Sequence, residues 1–173
     1  MTDRTTSVPV PAHEVLIVPA TDSEGRAKLL QDCVDVRIAV FVDEQKFPLD
    51  VEIDGHDPTA THILLRLVPS LQPIGTIRVY KVEGEDYYKL SRLAVLKEYR
   101  HHRFGRVLVL ALHEWVKEHA GQTGGLEIGK VVCHSQMPVK AFYAKYGYLP
   151  EGDEFDEDGA PHQKMVARLS LSE

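Results

Sequence analysis

With two cysteines in 173 residues, the chain cannot build a disulfide framework, and neither has the paired spacing of a zinc site. Cys33 and Cys133 each lie inside an apolar run, as expected of thiols kept reduced, which points to the cytoplasm. No run approaches the eighteen or so apolar residues of a membrane span, so no membrane partner is expected. The first twelve residues, MTDRTTSVPVPA, lack the apolar stretch of a signal peptide and read as a flexible tail, 1–12. Acids outnumber Lys and Arg by 26 to 20, and the net charge of −6 argues against a nucleic-acid partner. The nine histidines form no H-E-x-x-H pattern. A calcium loop also fails on spacing. Counting from Glu154, or from Asp50, puts Met165 or Thr61 where the closing glutamate belongs. No metal is expected.

What is present suits one domain, 13–173, since 43% apolar residues suffice for a core at this length. A strand is predicted over Glu14–Ala20. A helix capped by Asp22 or Ser23 should follow, with Leu29, Leu30, Cys33, Val36, Val40 and Phe41 carrying it to about Val42. FPLDVEIDGHDPTA reads as a loop, and THILLRLV, IGTIRVYKV and YYKLSRLAV read as an antiparallel meander. A long helix then presents Phe104, Leu108, Ala111 and Trp115 on one face and stops at Gly121, Gly124 and Gly125. LEIGKVVCH is a buried strand, MPVKAFYAKYGY a short helix, EGDEFDEDGAPHQ an acidic loop and MVARLSL a last strand. The sum is an α+β domain.

Against the overall charge, YRHHRFGR places Arg100, His101, His102, Arg103 and Arg106 at the mouth of the long helix. Unpaired N–H groups and the helix dipole make such a start an anion site. Gly105 would let an anion approach the backbone, and the arginines would add charged hydrogen bonds. The pattern points to a phosphate or pyrophosphate ligand.

This stretch resembles the acetyl-CoA motif Q/R-x-x-G-x-G/A of the GNAT acetyltransferases, with Arg100 first, Gly105 last and Arg103 where the first glycine belongs. RIAVFVDEQKFPLDVEIDGHDPTATHILL and AFYAKYGYLPEGDEFDEDGAPHQKM resemble signatures of the ElaA-like branch. The resemblance implies a GNAT fold, with a mixed, mostly antiparallel central sheet splayed near its middle and flanked by helices. It implies acetyl-CoA as co-substrate and an amine acceptor, a small molecule or a peptide. The cofactor would be held by Leu93, Ala94, Val95, Arg100, His101, Arg103, Phe104, Gly105 and Arg106. A backbone N–H of Leu93 or Val95 would meet the oxyanion, and Tyr143 would protonate the leaving thiolate. For the base, Glu44 ranks ahead of Glu52, His134 and His162. Two acidic runs, Asp43 to Asp57 and Glu151 to Asp158, suggest an acidic cleft that attracts cationic amines. Cys133 and His134 are expected on opposite faces of their strand, which argues against a nucleophilic pair. The alternative function is a non-catalytic acyl-CoA-binding or sensing module. A homodimer through the last strand or the meander edge is possible in such folds.

Overall fold

A computed structural model describes residues 8–20, 24–122 and 128–171, the side chains of Val51 and Glu52 excepted. Most of the expected tail, the caps Asp22 and Ser23, and the glycines 124 and 125 lie outside that description. The order is β1 (His13–Ile17), α1 (Arg26–Arg37), a π-helical segment (Ile38–Glu44), α2 (Leu49–Glu52), β2 (Thr61–Leu67), β3 (Pro73–Lys81) and β4 (Tyr87–Val95). A 3-10 turn (Lys97–His102) leads to α3 (Phe104–Gln122), then β5 (Ile128–Gln136), α4 (Lys140–Ala144), β6 (Leu149–Pro150), β7 (Phe155–Glu157) and β8 (Ala160–Ser170).

The strands form one sheet in the order β1-β2-β3-β4-β5-β8-β6, with β7 also on β8. β1 to β4 are the expected antiparallel meander. Alternation sends Ile63 and Leu65 of β2 to one face and Leu64 to the other. The first face packs on Leu108, Leu112 and Val116 of α3, and the second on Cys33 of α1. Fully burying each such side chain is worth about 1.5–3 kcal/mol, so this two-sided packing holds the sheet rigid.

Four expectations change. The first helix ends at Arg37 and continues as a π-helical segment, which turns Phe41 toward a cleft. The presumed loop after it holds the single turn α2. The buried stripe of α3 includes Val109, Leu112, Val116 and Ala120, while Ala111 and Trp115 are half-buried. The reason is that α3 lies across the sheet and is covered over a wider arc than one stripe. The acidic loop follows β6 and contains the β7–β8 hairpin, so β8 begins at Ala160 rather than near Met165. Asp158 (φ 55°) and Gly159 (φ 81°) form its two-residue turn, the left-handed pair that suits strand twist.

Candidate active site

The site grows from an irregularity in β4. Thr76 pairs with Ala94 but Arg78 pairs with Ser91, so two residues of β3 span three of β4. The extra residue is a bulge, and Arg92 within it has φ 53°, a left-handed conformation that costs a side-chain-bearing residue about 1–2 kcal/mol. Facing confirms it: Leu90 and Val95 join the same core although they are five positions apart, while Ala94 packs on the other side with Val36 and Val40. The register pairs neither Arg92 nor Leu93 with β3.

On its other edge β4 runs parallel to β5 through Tyr87–Lys130, Tyr88–Val131 and Lys89–Val132. Beyond Lys89 the strands part, and β5 continues on β8 alone as far as Gln136–His162. Two cavities open along this wedge, of about 640 and 420 Å³. Leu93 and Phe142 border both, so the two meet at the bulge.

The larger cavity lies at the mouth of α3. Leu93, Val95, Arg100, Arg103, Gly105 and Arg106 line it, six of the nine residues expected around the cofactor. Ala94 faces the core behind the sheet. Phe104 is buried, with its ring against His13 at 4.8 Å, so it offers a cofactor only its backbone. His101 is exposed on the turn beside His102. Arg103, at the missing glycine, takes the left-handed conformation anyway (φ 57°, ψ 33°). The turn therefore keeps a glycine-like path while adding a cation. Gly105 has a different reason from the one expected. A Cβ there would come within 3.1 Å of the Phe142 ring, so its hydrogen makes room for an aromatic. Arg100 forks onto Glu44 through two 2.6 Å bonds and donates from Nε to the Val95 carbonyl at 3.0 Å. Its guanidinium is thus a brace between the π-helical segment and β4. The same fork holds the Glu44 carboxyl below its usual range. Glu44 points to Arg100 rather than into the smaller cavity, which weakens it as a base.

The smaller cavity is lined by charges that are mostly matched in advance. Arg78 is buried and binds Asp54 at 2.7 and 3.0 Å and Asp57 at 2.8 Å. Asp57 also accepts from Arg37, and Asp54 from Arg92. Burial alone would raise the Asp54 carboxyl, but its hydrogen bonds and attraction to Arg78 outweigh this and hold it at about 2. Across the wedge, the Glu157 carboxylate stands 2.8 Å from His134 Nδ1 and 3.7 Å from His162 Nε2. His162 Nδ1 is 2.8 Å from the Ala160 carbonyl, which fixes its proton there and leaves Nε2 as acceptor. The cleft is therefore not an acidic funnel: Asp54, Glu157 and Asp158 border it, but so do Arg78, Lys89 and Arg92.

Tyr143, from α4, is buried and borders the same cavity, and burial pushes its phenol well above the usual range. Tyr148 is a core residue, its hydroxyl 2.8 Å from His113 Nε2. Cys133 and His134 both border the cavity, because the parting strands expose an edge as well as a face. Burial pushes the Cys133 thiol up to about 12, which rules it out as a ready nucleophile. Among the described residues, no group of three or more His, Cys, Asp or Glu could hold a metal, and no helix is long and apolar enough to cross a membrane. Sequence reasoning missed the bulge at Arg92, which carries no glycine to mark it, and the roles of Glu157 and Lys89. The Asp158-Gly159 dipeptide is a hairpin signal that could have placed Glu157 opposite Ala160.

Comparison with known proteins gives the family and the fold. The acetyltransferase (GNAT) domain family matches residues 29–169. An uncharacterized N-acetyltransferase of Bacillus subtilis, YjcF, is 33% identical over 138 residues, 79% of this chain and 91% of that protein. The crystal structure of Escherichia coli ElaA superposes with a TM-score of 0.73 at 25% identity, over 90% of this chain and 99% of ElaA. A CoA-dependent acyl-homoserine lactone synthase, BjaI, solved with SAM and isopentyl-CoA, shares the fold alone. Its TM-score is 0.68 at 15% identity, over 91% of this chain and 83% of that one.

Proposed function

This chain belongs to the GNAT acetyltransferase family, and from that premise we propose that it moves the acetyl group of acetyl-CoA onto a primary amine by direct attack in a ternary complex. The observation that carries the reading is the junction at Leu93 and Phe142, where the basic cavity at the α3 mouth meets the more polar one. A donor and an acceptor entering from the two sides would meet there.

The cofactor's pyrophosphate lies on the first turn of α3, where open N–H groups join Arg103 and Arg106. Its pantetheine arm follows the edge of β4 left open by β5, as an added strand would. The amine nitrogen attacks the thioester carbon, and the carbonyl oxygen gains charge as the new C–N bond forms. The Leu93 N–H, freed from β3 by the bulge, is the donor to that oxygen, a contact typically worth about 3 kcal/mol. The C–S bond then breaks. Tyr143, kept protonated by burial, donates a hydrogen bond to the departing sulfur and supplies its proton. The nitrogen's proton goes to His162 Nε2, where protonation turns the 3.7 Å approach to Glu157 into an ion pair. The products are the acetylated amine and CoA thiol.

A panel of primary amines assayed for CoA release tests the proposal. Tyr143→Phe should bind acetyl-CoA as wild type does and lose about 10²–10⁴-fold in kcat. His162→Gln should lower kcat while leaving acetyl-CoA binding as in wild type. Tight acetyl-CoA binding with no turnover of any amine would instead make this a binding module.

A further inference from the structure

Most charges in the smaller cavity have a counter-charge in place, but Lys89 does not. Arg78 is matched by Asp54 and Asp57 and Arg92 by Asp54, while Glu157 is hydrogen-bonded to the His134 ring. The contacts of Lys89 Nζ are with a ring: His134 Nδ1 at 3.1 Å and Nε2 at 3.4 Å. Among the described residues no carboxylate forms an ion pair with it, and Glu157 acts on it only as a more distant charge. An ammonium has three donors, and the imidazole can satisfy at most one. The side chain is half-buried, so the others have limited access to water. Donors and a positive charge left open inside a cavity form an anion receptor. Asp158, the remaining acid on the wall, is exposed at the rim.

We propose that the acceptor is a short aminocarboxylic acid, whose carboxylate binds Lys89 while its amine faces the bulge at Leu93. One cation calls for one negative charge; a phosphate dianion would leave excess charge in a partly enclosed space. Distance favours a short chain. Val132 is the register partner of Lys89, and His134 stands two residues beyond it. The ammonium drawn toward His134 therefore sits about two residue steps, ~7 Å, short of Leu93. That span accommodates a few carbons between amine and carboxylate. A plain cationic amine would instead meet a like charge in Lys89. The inference rests on the acetyltransferase reading only for naming the amine as the reacting end.

The test measures binding, so that it does not depend on turnover. Glycine, β-alanine and 4-aminobutyrate are titrated calorimetrically into protein saturated with CoA, beside their uncharged-end primary amides. Wild type should bind at least one of the acids tenfold or more tightly than its amide. Lys89→Met should abolish that preference, Lys89→Arg should retain part of it, and acetyl-CoA affinity should be unchanged in both. Equal binding of acids and amides, or a preference that survives Lys89→Met, would overturn the assignment. An acid bound through Lys89 but never acetylated would leave the carboxylate site at Lys89 standing and overturn the assignment of that acid as acceptor.

Discussion

The two cavities that meet at Leu93 are built on opposite principles. At the mouth of α3 the recognition elements are backbone N–H groups and arginines at the surface, and Arg103 and Arg106 stand exposed. In the smaller cavity they are side chains, cross-linked by ion pairs that tie α1, the loop before β2, β3 and β4 together through Arg37, Asp57, Arg78, Asp54 and Arg92. The first arrangement can bind a large anion without disturbing the fold. The second fixes the shape of the acceptor space, and its charges cannot be altered singly without consequence.

The sharpest way to break this comparison is to remove one arginine from each side. Arg78→Met should cost about 3–5 kcal/mol, because the buried Asp57 and the half-buried Asp54 would lose the guanidinium they share and keep only Arg37 and Arg92. Arg106→Met should change stability by about 0.5 kcal/mol or less and lower acetyl-CoA affinity instead. Urea unfolding of both proteins checks the contrast, and similar losses in the two would refute it.

The next effect is acid sensitivity in the core beneath the acceptor side. Burial depresses the His113 imidazole to about 4, below its unfolded value near 6.5. Unfolding then takes up a proton between those values, so the stability this residue contributes is complete above pH 6.5 and is lost as pH falls toward 4. The loss is roughly 3 kcal/mol at most. Asp54, depressed from 3.8 to about 2, adds a second loss below pH 3.8. Melting temperature followed from pH 7.5 to 3.5 should fall below pH 6.5, and His113→Gln should flatten that slope.

These contrasts explain what was legible beforehand. The order of strands and helices follows from apolar periodicity, and the α3 mouth from a charge cluster that stands out in an acidic chain. The bulge does not show, because Arg92 looks like any strand residue and only its pairing with β3 reveals the extra position. Glu44 ranks first as the base in the sequence; that Arg100, 56 residues away, forks onto it is a tertiary fact. The acidic runs suggest an acidic cleft because the side chains that pair with them, Arg37, Arg78 and His134, lie outside those runs in sequence. Lys89 carries no signal, since its significance is that its neighbour is a ring and that no carboxylate among the described residues pairs with it, which only the folded wedge reveals.

Smaller effects sharpen the comparison at the cofactor turn. Arg103→Gly restores the motif glycine and relieves a left-handed residue, a gain of about 1–2 kcal/mol. Gly's greater freedom in the unfolded chain offsets about 0.4–1 kcal/mol of it. The variant should melt slightly higher yet bind acetyl-CoA more weakly, which separates the conformation of the turn from its charge. The smallest change is expected from Glu44→Gln, because its fork with Arg100 is partly exposed: about 1 kcal/mol or less in urea unfolding. If Glu44 were the base, that variant would lose activity by orders of magnitude; a loss of less than tenfold in kcat fits a brace.

The central claim, that the mouth of α3 is a cofactor site, is tested most directly by calorimetric titration of acetyl-CoA into wild type and into the double variant Arg103→Glu, Arg106→Glu. The account predicts one site per chain in wild type and at least a hundredfold weaker binding in the variant. No binding to wild type, or equal affinity in the two proteins, would contradict it.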